Sequence, residues 1–249
     1  MKKENLLKLE LKEKSTTFRA QYGYGASDPI HLKSFLLKNN VITMFKPLSG
    51  AFAGMAIKLG DYKFMMVNHE HSLGKQHFTV AHEIYHLFIQ ENFTSQRCVT
   101  GLFDGQNDLE EKKADIFAAN LLLPESGVLN FIPKEEREKK NYISPDTIFR
   151  IQQYYSVSIK AVIFRLFELG LVDSSYFENY KSGNKDQARQ LGYDTSLLQP
   201  GNKNLVIGDY AQIAKKLFNK KLISESYFFE LMNSIGIDPL AHNDNADEQ

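Results

Sequence analysis

Residues 78–87 read Phe-Thr-Val-Ala-His-Glu-Ile-Tyr-His-Leu, and the spacing inside this stretch decides how the rest of the chain is read. Phe78, Val80, Ala81, Ile84, Tyr85, Leu87 and Phe88 recur at helical intervals, so a helix is expected after His77. On such a helix His82 and His86, four apart, share one face and both imidazoles reach one metal ion. Glu83 is rotated off that face yet stays beside the ion, placed to take a proton from a metal-bound water rather than to ligate. A catalytic zinc wants three protein ligands, and the third is sought further along. On a second expected helix, roughly 109–123 and ended by Pro124, Glu111 and Asp115 again lie four apart. Glu111 is read as the third ligand, with Glu110 as the fallback. Asp115, among Ala114, Ile116, Phe117, Ala118 and Ala119, is expected to accept a hydrogen bond from the far nitrogen of a ligating histidine.

Upstream, Val41 to Phe45, Phe52 to Leu59 and Tyr62 to Asn68 are β-branched, aromatic or apolar runs, with Leu59-Gly60-Asp61-Tyr62 as a hairpin turn. A helix over 31–39 precedes them, and residues 3–14 suggest a short helical arm. Tyr62 to Asn68, taken as an exposed edge, is expected to accept a substrate by strand addition. Beyond the charge run at 134–141, helices are expected at 143–155, 158–169, 210–222 and 224–235, and a disordered acidic tail at 241–249. The fold class is therefore α+β: a small antiparallel or mixed sheet with an active-site helix, followed by a mainly helical C-terminal half. The expected division is an arm at 1–30, a core at 31–130 and a helical region at 131–240.

Residues 78–87 together with 111–124, Glu-Lys-Lys-Ala-Asp-Ile-Phe-Ala-Ala-Asn-Leu-Leu-Leu-Pro, resemble the ImmA/IrrE family of zinc metallopeptidases. The resemblance covers residues 31 to about 125 well and 143–172 more loosely. It implies a zincin-like, gluzincin-like core, Zn2+ held by His82, His86 and Glu111, and Glu83 as the catalytic carboxylate. It also implies a zinc-dependent endopeptidase that hydrolyses a peptide bond in a helix-turn-helix transcriptional repressor. Tyr85 stands where the family usually has Gly, and Leu123 where Met is common; Tyr85 is expected to fill core. Candidates for stabilising the oxyanion are His69, His71, His77, Tyr22, Tyr24 and His242.

Composition bounds the alternatives. The chain has 249 residues, 30 Lys+Arg against 30 Asp+Glu, and one cysteine. Neutrality argues against coating of nucleic acid or an anionic membrane. Cys98 has no partner for an intrachain disulfide, no apolar run approaches ~18 residues, and the first residues do not read as a secretory signal. A cytoplasmic protein without direct DNA or membrane binding is expected. Residues 143–172 have a helix-turn-helix rhythm, but 143–173 carries three basic residues (Arg150, Lys160, Arg165) against three acidic ones (Asp146, Glu168, Asp173). A packing or docking role is the better reading. The alternative function is a non-proteolytic zinc-containing regulator that binds a repressor or effector through the helical half. The neutrality is also uneven: residues 1–50 carry nine basic and four acidic side chains, residues 101–125 two and six.

Overall fold

The structure, a computed structural model, describes residues 2–49, 52–99, 109–139 and 141–239. Helices α1 (Lys2–Gln21) and α2 (Leu32–Lys38) precede strands β1 (Val41–Lys46), β2 (Phe52–Leu59) and β3 (Tyr62–Asn68). Helix α3 (Leu73–Phe88) and strand β4 (Ser95–Val99) lead to α4 (Leu109–Leu122), α5 (Glu125–Phe131) and α6 (Lys134–Arg137). The C-terminal half holds α7 (Pro145–Tyr155), α8 (Ile159–Glu168), α9 (Ser175–Asn179), α10 (Asn184–Gln190), the short β5 (Val206–Ile207), α11 (Tyr210–Asn219) and α12 (Glu225–Ser234). The expected tail at 241–249 and the loop at 100–108 lie outside the described residues, as does the side chain of Cys98. No helix among the described residues is long and apolar enough to cross a membrane.

The fold is α+β, with a mixed sheet in the order β4-β2-β3-β1-β5. Strands β2 and β3 form the expected antiparallel hairpin, with Leu59 opposite Tyr62 and Gly60 at φ 57°, a left-handed turn conformation that glycine adopts without strain. Strand β1 runs parallel to β3, Val41 beside Lys63, through to Lys46 beside Asn68. The expectation of an exposed edge at Tyr62–Asn68 is therefore corrected. Strand β3 is flanked by β2 and β1, so its backbone groups are already paired; the outermost strands are β4 and β5.

Helix α3 starts at Leu73, a turn before the apolar pattern begins, because polar contacts secure that turn. The buried Gln76 amide donates to the carbonyls of His69, His71 and Gly201 and accepts from Asn202. A β-carbon on Gly74 would lie 2.7 Å from the backbone of Val157 and Ser158, so glycine lets α3 lie directly on the turn between α7 and α8. His77 Nδ1 donates to Ser156 O at 2.6 Å on the same turn.

The expected arm is a helix of 20 residues, and it packs along α4. Leu11 and Phe18 are buried in the same hydrophobic core as Val41, Ile84, Phe117, Ile148 and Ile207. Mixed charges mask this role in the sequence, because only every third or fourth position of α1 faces inward. The core likewise runs across the 130/131 boundary, so the two sequence regions share one interior. In the helix-turn-helix-like segment, Ser144 and Ser158 cap α7 and α8 through Thr147 N and Ala161 N. The inner face of α8 (Ile159, Ala161, Val162, Ile163, Leu166) is buried in the core.

Candidate metal centre

Helix α3 sets His82 and His86 one turn apart, and helix α4 packs against it with Glu111 in its first turn. The two Nε2 atoms are 3.1 Å apart. Glu111 Oε2 lies 3.1 Å from His82 Nε2, and Oε1 lies 3.3 Å from His86 Nε2, near but out of line for a hydrogen bond. All three residues are buried, and one donor atom from each falls within 4.8 Å of the others.

The far side of each ring settles what faces the centre. His82 Nδ1 donates to Asp115 Oδ1 at 2.8 Å, and His86 Nδ1 donates to Gln90 Oε1. With both Nδ1 atoms protonated, a neutral imidazole presents its Nε2 lone pair inward. Two lone pairs and a carboxylate then converge on one buried point, where they repel one another unless a proton or cation lies among them. Two imidazoles and a carboxylate fit a divalent ion of zinc type, the donor set of a catalytic rather than a closed structural site. Burial raises the Glu111 carboxyl; only when protons sit on the facing Nε2 atoms of His82 and His86 does their attraction outweigh burial and bring the group down to about 2.

Glu83 lies beside this cluster, fully buried, and neither carboxylate oxygen has a hydrogen-bond partner. Burial pushes it up to about 7, with His82 and His86 pulling it down and Glu111 pushing it further up. An orphaned buried carboxylate costs the fold free energy, and such groups concentrate at working sites. Strand β2 leaves room for it: a β-carbon on Gly54 would lie 3.3 Å from Glu83 Oε1 and 2.6 Å from Thr79 Cγ2.

Two buried arginines anchor the far end of α4, whose last carbonyls have no partners within the helix. Arg19 Nη1 donates to Leu121 O at 2.6 Å, and Arg165 donates to Leu123 O and Asn120 Oδ1, each at 3.0 Å.

The structure thus brings together His82, Glu83, His86, Glu111 and Asp115. Glu110, the fallback ligand, turns to Tyr85 and Lys113 instead. Tyr85 is buried, its ring between His86 and Phe117. Of the oxyanion candidates, His77 is spent on Ser156, His71 sits beside Lys75, and Tyr22 packs among Phe18, Phe35 and Phe88. Tyr24 lines a cavity of about 460 Å³ between α1, α4 and α5, His69 gives its main-chain carbonyl to Gln76, and His242 lies outside the described residues. Sequence reasoning missed Gln90 and Gly54. Gln90 carries a signal, four residues after His86; Gly54 carries none, because the clash it avoids is with another element.

A comparison with curated proteins returned no match. The family model of the IrrE N-terminal-like domain, Peptidase M78, matches residues 42–167, a span that includes both halves of the cluster. That span is just over half of the chain, which therefore belongs to this metallopeptidase-type family.

Proposed function

We propose that the chain is a zinc-dependent endopeptidase in which His82, His86 and Glu111 hold the ion and Glu83 is the general base and acid. The observation that carries this reading is Glu83: a fully buried carboxylate with no protein hydrogen-bond partner, beside two imidazoles whose inward nitrogens are lone pairs. Zinc in such a site supplies Lewis acidity, which lowers the pKa of water toward ~7 and polarises a carbonyl oxygen. Glu83 accepts the proton of the attacking water at a carboxylate oxygen. It returns that proton to the departing amine nitrogen as the carbon–nitrogen bond breaks. Asp115 and Gln90 keep the imidazoles in the tautomer the ion requires.

The family suggests a helix-turn-helix transcriptional repressor as substrate, in the cytoplasm. Direct DNA reading by α8 is disfavoured, because its inner face is core and Arg165 is consumed by Leu123 and Asn120. The test is incubation of the zinc-loaded chain with the repressor encoded beside its gene, fragments being read by mass spectrometry. Glu83→Gln should keep about one zinc per chain and lose cleavage. Equal cleavage by both proteins would sink the mechanism. A non-proteolytic regulator is the second reading. It is favoured by the α11–α12 pair, which leaves Leu222 and Tyr227 exposed outside the main core. Tight association without fragments in zinc-replete buffer would select it.

A further inference from the structure

Glu111 lies in the first described turn of α4, at the end of the helix away from the carbonyls that Arg19 and Arg165 hold. A ligand placed there holds its position only if the turn is tied to something rigid. The exposed Lys112–Glu4 ion pair, at 2.9 Å, is a weak tie of that kind. A better one comes from the active-site helix itself. Tyr85 Oη donates to Glu110 Oε2 at 2.9 Å, and Lys113 Nζ donates to Glu110 Oε1 at 2.6 Å. The Tyr85 ring is only 3% exposed, 5.5 Å from the His86 ring and 5.7 Å from that of Phe117 on α4. One side chain therefore touches a histidine of the cluster, the body of α4, and the residue just before Glu111.

We propose that Tyr85 is a positioning residue, its hydroxyl clamping the first turn of α4 to α3 so that Glu111 meets His82 and His86. The proposal rests on the reading of these three residues as a metal centre. It gives the phenol a task beyond filling core: the ring supplies volume, and the hydroxyl supplies register between the two helices that share the ion. The hydrogen bond to an ionised carboxylate, partly shielded from water, is of the stronger kind.

Zinc affinity of the full chain, measured by competition with a chromophoric chelator, tests this without any substrate. Tyr85→Phe keeps the ring and loses the hydroxyl; it should weaken zinc binding about tenfold, the low end for loss of a group that supports a ligand. Glu110→Ala should weaken it similarly, the double variant should be little worse than either single one, and Glu110→Gln, which keeps an acceptor, should lie closer to wild type. If Tyr85→Phe fails to fold, Glu110→Ala carries the test, since that side chain is 31% exposed and leaves the packing intact. Wild-type affinity in both Tyr85→Phe and Glu110→Ala, with Glu111→Ala weakened, overturns the clamp alone. Equally weak binding by wild type and Glu111→Ala overturns the metal centre itself.

Discussion

Replacing Glu83 by Gln changes the pH dependence of stability in a way that tests the burial of this carboxylate separately from catalysis. In the metal-free chain the Glu83 carboxyl is raised from 4.5 to about 7, so between these values the folded state keeps a proton that the unfolded state releases. The stabilisation linked to that proton is complete below pH 4.5 and is lost as pH rises to about 7. At roughly 1.4 kcal/mol per pH unit the loss is about 3 kcal/mol. Gln cannot ionise, so it removes this slope. Its own cost, about 1–3 kcal/mol for a buried amide without partners, does not vary with pH and cancels from the comparison. Urea denaturation of both proteins in excess chelator should therefore show the wild type losing about 3 kcal/mol relative to Glu83→Gln across that window. Stability curves that stay parallel across it would refute the reasoning. Repeating the series with excess zinc should shrink the difference, because a nearby cation favours the ionised carboxylate.

The support of the site yields two further expectations. Asp115→Ala removes the acceptor 2.8 Å from His82 Nδ1 and should weaken zinc binding about 10–100-fold; unchanged affinity in a chelator competition would remove Asp115 from the site. Gly54→Ala puts a methyl group 2.6 Å from Thr79 Cγ2, 2.9 Å from Met66 O and 3.3 Å from Glu83 Oε1. It should cost about 1–3 kcal/mol by urea denaturation, partly restored by adding Thr79→Ser, and no restoration would show that the strain lies elsewhere.

Much of the fold could be read from local patterns. Strands β2 and β3 span the residues expected of them, because alternating and β-branched runs bounded by Gly60-Asp61 are a short-range signal. Strands β4 and β5 carry no such local signal: each is short, and each exists because a neighbour offers an unpaired edge, β2 for one and β1 for the other. The role of α1 was hidden for the same kind of reason. Leu11 and Phe18 look unremarkable among lysines and glutamates until α4 and α2 enclose them.

At the candidate centre the division is sharper. The i, i+4 spacing of His82 and His86, with Glu83 between them, is a property of any helix containing those residues, and so the sequence alone determined that chemistry was to be sought there. The spacing of Glu111 and Asp115 did the same for α4. Tertiary structure decided which atoms meet: Glu111 rather than Glu110 faces the imidazoles, Gln90 and Asp115 fix the tautomers, and Glu83 is buried with no protein group to pair its oxygens. The reason is geometric, since a helical repeat sets where side chains lie around one axis, whereas only packing sets the distance and rotation between two axes.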